Sequence, residues 1–181
     1  MAICNALTAG LDKSCDNNSG GVNKVFITDY DNISSVVIGT ASAPQVGDWI
    51  DGITMSGSTK FYEFKTNKNV CNFTESVAID MTNGTTFFNQ VVTLVLSRRE
   101  TTKRDAIEKL VAGQKQLALI VLDSNGNYWL FGLSEGAYVT AIEGGSGTAK
   151  ADANGYTITF TAMEPDQAYG VDPVIISGIT Q

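Results

Sequence analysis

The segment from Gly84 to Leu133, GTTFFNQVVTLVLSRRETTKRDAIEKLVAGQKQLALIVLDSNGNYWLFGL, constrains the fold more than any other part of the chain. It reads as a long strand, one short helix and a tight hairpin. Thr85–Leu96 is rich in β-branched and aromatic residues, which fit a pleated, half-buried surface. A helix is predicted over about 102–113, because Ala106, Ile107, Leu110 and Val111 recur at helical spacing. Thr101 or Thr102 offers a hydroxyl to an orphan N–H one turn on. Asp105 is expected in the first turn, where the helix dipole favours an acid. Gly113 suits the position just past the helix end. Leu117–Leu122 (LALIVL) is apolar throughout, which predicts a central strand covered on two sides. Asn125-Gly126 predicts a type I′ turn.

Around this segment the chain is punctuated for β structure. Residues 1–21 are polar and rich in Gly and Asn, and read as an extended N-terminal arm. Residues 22–181 read as a single β-rich domain. Strands are predicted at Val22–Tyr30, Ile33–Thr40, Lys60–Lys65, Val77–Met81, Tyr138–Ile142, Tyr156–Thr161 and Val174–Ile179. Asp29-Tyr30-Asp31-Asn32 and Asn83-Gly84 supply turns. Pro44–Met55 mixes turn residues with Trp49, Ile50 and Ile53, which can pack. Asp51–Lys60, with the tip Ser56-Gly57-Ser58, and Glu143–Gly155 read as mobile loops. Tyr156, Ile158 and Phe160 alternate with Thr157, Thr159 and Thr161, so an all-threonine face is expected to be half-exposed or to abut a partner. The fold class is therefore mainly β, a sandwich or barrel with one short flanking helix.

Composition excludes several function classes. A net charge of −7 leaves no basic groove for phosphates. The local cluster Arg98, Arg99, Lys103 and Arg104 is interleaved with Glu100 and Asp105, and reads as solvated strand and helix ends. With no histidine in the chain, Ser-His-Asp and Cys-His catalysis in their usual forms are absent. Cys4, Cys15 and Cys71 contain no CxxC, so neither a zinc site nor a disulfide framework is predicted. A Cys4–Cys15 bridge is allowed but unforced. Cys71, with Lys68 nearby in sequence, reads as a packed structural thiol. Asp123-Ser124-Asn125-Gly126-Asn127 begins like a calcium loop but has Gly126 fourth rather than sixth and Ser134 at the twelfth place, so a hairpin turn is favoured. Asp29-Tyr30-Asp31 is likewise a turn rather than a cation site. No catalytic, cofactor or metal residue is predicted, and no run reaches the roughly 20 apolar residues of a membrane helix. No signal peptide is recognised at the N-terminus.

Several stretches resemble a family of virion structural proteins of tailed bacteriophages, of the type found in phages and prophages of Bacteroidetes. They are the arm with Cys15 and Gly20-Gly21-Val22, then Lys24-Val25-Phe26-Ile27, GTTFFNQVVTLVL, LIVLDSNGNYWLFGLSEGAYVT and GTAKADANGYTITFTAMEP. Within that group the outline is similar to tail-tube proteins. The resemblance implies a β-sandwich or barrel flanked by a helix, made in the host bacterial cytoplasm and ending in the virion tail. It implies a homo-oligomeric ring, usually a hexamer, that stacks into a tube, contacts other virion proteins and lets DNA pass transiently. No enzyme activity, cofactor or membrane is implied. Expected assembly contacts are Cys15, Gly20 and Gly21 on the arm, Ser56, Gly57 and Ser58, Gly144, Gly145, Ser146 and Gly147, and the face Thr157, Thr159 and Thr161. Other readings are a head decoration, collar or connector protein and, from another class, a carbohydrate-binding β-sandwich using Trp49 and Trp129.

Overall fold

A computed structural model describes residues 10, 15–41, 47–67 and 70–181. Cys4, and with it any Cys4–Cys15 bridge, lies outside the described residues, as do Pro44, Lys68 and most of the arm. The protein is mainly β. Eleven strands join in one sheet: β1 (Val22–Asp29), β2 (Ile33–Ala41), β3 (Gly47–Met55), β4 (Tyr62–Phe64), β5 (Asn72–Asp80), β6 (Thr85–Ser97), β7 (Leu117–Asp123), β8 (Tyr128–Phe131), β9 (Ala137–Gly145), β10 (Gly155–Glu164) and β11 (Tyr169–Val171). Among the described residues two α-helices, α1 (Thr101–Val111) and α2 (Pro173–Ile179), accompany the sheet. The strand order is β2-β3-β11-β8-β7-β9-β10-β6-β5, with β1 lying between β7 and β4. Strand pairs are antiparallel except β3 with β11.

The sheet folds over on itself where β7 meets β9, a junction of a single residue pair, Leu117 with Ala137. One layer, β9-β10-β6-β5, thereby faces β1, β7 and β8 as a sandwich. Val92, Leu94, Leu96, Ile158 and Phe160 come from the first layer. Val25, Ile27, Leu119, Val121 and Phe131 come from the second, and all lie in one buried cluster. A second cluster sits on the other side of β7, where Phe26, Ile50, Phe61, Ala118, Ile120 and Leu130 meet Ile176 and Ile179 of α2. The unbroken apolar run of β7 follows from this geometry. Leu117, Leu119 and Val121 serve one core, Ala118 and Ile120 the other, and each fully buried Leu or Ile contributes roughly 1.5–3 kcal/mol.

Four local expectations are corrected. Val174–Ile179 is a helix rather than a strand. Asp172 caps it by accepting from Val174 N–H at 2.8 Å, and Pro173 occupies the first turn, where its missing N–H costs nothing. Ile175, Ile176 and Ile179 then fall on one helical face toward the second core, so this spacing and the Asp-Pro start outweigh β-branched composition. Replacing Asp172 by alanine is expected to cost about 1 kcal/mol, read as a lowered urea midpoint.

In the other helix, Thr101 and Thr102 lie inside α1, and Asp105 falls beyond its first turn. The cap position is Glu100, whose side chain instead pairs with Arg98 at 3.2 Å and Lys103 at 3.4 Å. Lys103 also donates to the carbonyls of Ser97 and Arg98, tying the helix start to the end of β6. Ile107 is the buried residue of α1, while Val111 is exposed.

Gly47–Met55 runs as a strand through its turn-like residues. Asp51 is an extra residue between the pairs Val37–Gly52 and Ile38–Ile50. Such a bulge resets the alternation, which is why Ile50 and Ile53, three apart, enter the same core.

The fourth correction concerns the β7–β8 turn. Among its residues Gly126 has positive φ (92°) and Asn125 does not, so the turn is not type I′. The pair Asp123–Asn127 closes a three-residue loop instead.

Candidate assembly surface

β6 outruns its neighbour. It pairs with β10 only as far as Phe88, opposite Glu164, whereas its pairing with β5 continues to Thr85 opposite Asp80. Residues 78–87 therefore form a two-stranded ribbon beyond the sandwich. Asp80 closes its tip by accepting from the backbone of Thr82 (2.8 Å) and Asn83 (3.3 Å), contacts that hold its carboxyl below the usual range. Along the inner side of β5, Phe73 packs against the first core and Glu75 accepts from Ala168 N–H at 2.7 Å. The same side then continues with Val77 (51% exposed) and Ile79 (64%), past the point where the core stops. Met81 at the tip is 93% exposed. An isolated two-stranded hairpin is marginally stable in water, and this one exposes apolar side chains that nothing among the described residues covers.

The outer face of the four-stranded layer forms cross-strand rows. One is Asn72–Thr93–Thr159–Ala141 and the next Thr74–Val91–Thr161–Tyr138. Thr157 follows, between Val95 and Glu143. These rows carry no Lys or Arg. Thr157, Thr159 and Thr161 are half-buried by their neighbours, and Thr140 joins the Thr161 hydroxyl at 3.0 Å.

At the fold-over, buried polar groups hold the Gly132–Gly136 loop between the layers. Glu164 accepts from Ser134 N–H (2.8 Å) and Glu135 N–H (3.1 Å). Gln90 accepts from Gly132 N–H and donates to the Asp166 carbonyl. Tyr30 donates to the carbonyls of Leu133 and Ser134. Burial pushes the Glu164 carboxyl above the ordinary glutamate range, against the pull of its N–H donors. The folded state thus holds this proton to higher pH than the unfolded chain does. The stability it contributes is complete below the ordinary glutamate range and is lost as pH rises through the raised value. The urea midpoint of the native chain relative to that of Glu164→Gln should therefore fall as pH rises across that window.

Other sequence candidates find their places. Ser124 N–H donates to the Gly21 carbonyl and Ser19 N–H to Asn125, so the inner end of the arm lies along the β7–β8 hairpin. Cys15 and Gly20 are exposed. Ser56, Gly57 and Ser58 form a turn beside the start of β2, with Ser56 N–H on the Asn32 carbonyl. Of the expected loop Asp51–Lys60, residues 51–55 belong to β3. Gly144 and Gly145 belong to β9 rather than a loop, and Ser146 and Gly147 begin a turn at the far end of the layer. Asp152 orders that turn by accepting from Thr148 and Ala149 N–H, each at 2.7 Å. These candidates thus lie in separate places, and only the threonines form one continuous surface. The ribbon was not among them. Its signal was present in the alternation of Val77, Ile79 and Met81 before Asn83-Gly84, but that pattern does not show that the strand has no outer neighbour.

The chemistry-bearing candidates are taken up by the fold. Cys71 is buried, and its sulfur lies 3.2 Å from Val95 N. Asp123 accepts from Asn125 and Asn127 N–H and from Trp129 Nε1, so its carboxylate serves the hairpin. Asp29 pairs with Lys115 at 2.8 Å. Neither Trp49 nor Trp129 is exposed as an open platform, since both are half-buried. Among the described residues no group of three or more Cys, Asp or Glu is placed to hold a metal ion, and no helix is long and apolar enough to cross a membrane. Comparison with protein-family models, with curated proteins and with solved structures finds no match for this chain.

Proposed function

We propose that this chain is a virion structural subunit of the tail-tube type, which assembles with copies of itself into rings that stack around a passage for DNA. The observation that carries the reading is the β5–β6 ribbon, which extends the inner face of a sandwich into solvent with Val77, Ile79 and Met81 uncovered. Exposed apolar surface rimmed by polar residues marks an interaction site. Among the described residues both ends of the strand order, β2 and β5, also lack an outer neighbour, and an open edge is a template for another strand. The threonine face fits the passage. Its rows offer no cation to hold a phosphate backbone, whereas a basic lining would trap DNA through counterion release. The subunit's work in this reading is mechanical, with packing and strand pairing at its borders supplying the energy of assembly. Negative-stain microscopy of the purified chain should show rings or stacked tubes. A monomer at the highest soluble concentration overturns the reading.

A further inference from the structure

We infer that copies of this chain join head to tail by strand addition, the β5 edge of one copy pairing with the β2 edge of the next. The inference rests on the self-assembly reading and names the contact it would use.

These two strands are the opposite ends of the strand order. Each has nine residues, about 30 Å of backbone. Sheet edges in proteins that stay apart are blunted with Lys, Pro or inward charges. β2 reads ISSVVIGTA, with no charge and no proline. β5 reads NFTESVAID, with no proline or lysine. Its two acids are engaged within the chain, Glu75 on Ala168 N–H and Asp80 on the ribbon tip.

Each edge also carries one apolar triplet, Val36-Val37-Ile38 on β2 and Val77-Ala78-Ile79 on β5. Val37 is 56% and Ile38 47% exposed, matching the exposure of Val77 and Ile79. Setting Val37 opposite Ala78 brings the triplets into register whether the strands run parallel or antiparallel. Such pairing buries apolar side chains on both faces and fills the free N–H and C=O groups of both edges. In the alternative, β5 pairs with β5 about a two-fold axis through Ala78, with Val77 opposite Ile79. That gathers four carboxylates, Glu75 and Asp80 of each copy, along one seam, whereas β2 brings no charge to it. Because the two edges differ, the contact is heterologous, and repetition closes a ring or extends a filament.

Ile38→Lys and Ile79→Lys test the pairing by sedimentation velocity. Each substitution places a charge on one edge at an exposed position, so each variant should unfold with the native chain in urea. Val37→Lys and Val77→Lys form a second pair should either variant fold poorly. Alone, each variant should be monomeric, its association weakened at least about a hundredfold. An equimolar mixture should give a discrete dimer, because Ile38→Lys keeps a working β5 edge and Ile79→Lys a working β2 edge. Assembly of either variant alone, or a mixture that stays monomeric, overturns the inference. Dimerisation of Ile38→Lys by itself would assign the contact to β5 with β5. Native chain that assembles while both lysine variants assemble equally sinks this pairing and leaves the self-assembly reading intact. The expected dimer from a native chain that forms oligomers but never stacks into tubes upholds the pairing and sinks the tube. A native chain that stays monomeric sinks both.

Discussion

Replacing Phe131 by alanine is expected to remove about 3–5 kcal/mol of folding stability, a large share of the 5–15 kcal/mol of a typical domain. Phe131 is buried at the end of β8, where the sheet begins to fold over. Its ring lies 5.2 Å from that of Phe73 on β5, tilted by 55°, so the two layers of the sandwich meet at this contact. Truncation loses the transfer energy of the ring and leaves a cavity between two layers, each stiffened by its own backbone hydrogen bonds, that collapse into it only in part. The urea midpoint should fall sharply with little change in slope. Hydrogen exchange should quicken first in β5, because among the described residues β5 has a single strand neighbour and Phe73 is one of its anchors in the core. A surface control, Val174→Ala, should stay within about 0.5 kcal/mol of the native chain.

The second large effect is expected one residue on. Gly132 has φ +70°, and a Cβ there would stand 2.6 Å from Ala137 N and 2.9 Å from Leu117 O. Both neighbours are backbone, and they belong to the two residues of the single pair that joins β7 to β9. No side-chain rotation can relieve the overlap. Gly132→Ala should therefore cost about 3 kcal/mol or more, or prevent the layers from closing. Gly126→Ala separates the two causes. Gly126 also has positive φ, +92°, but a Cβ there meets nothing within 4 Å. Only the conformational penalty applies, about 1 kcal/mol. A native-like urea midpoint for Gly132→Ala would mean that the fold-over is not held as tightly as these distances imply.

Local chemistry made much of the fold legible in advance. LALIVL is apolar at successive positions, and only a strand with cores on both faces uses such a run. Gly113 past the end of α1, the Asn83-Gly84 turn and the packed thiol of Cys71 follow from properties of single residues. So does the alternation of threonines with Ile158 and Phe160. The misreadings also have particular causes. At 173–179, β-branched composition masked an Asp-Pro helix start. At Asp51 a bulge broke the two-residue period that strand reading assumes. In 143–155, glycine-rich sequence suggested mobility, whereas Asp152 supplies local hydrogen bonds that order the turn.

Pattern along the chain determined most of the long strands, which of their sides are apolar, and that the chain holds few basic groups, because periodicity and charge are local properties. It left open which strand lies beside which. Only the tertiary structure decided that β5 and β2 end the strand order among the described residues, that β6 runs past β10, and that Val77 and Ile79 emerge beyond the core. The reason is physical. A strand with an apolar inner face reads the same whether its outer edge meets a neighbour or water, since that neighbour comes from residues far away in the sequence or from another copy of the chain.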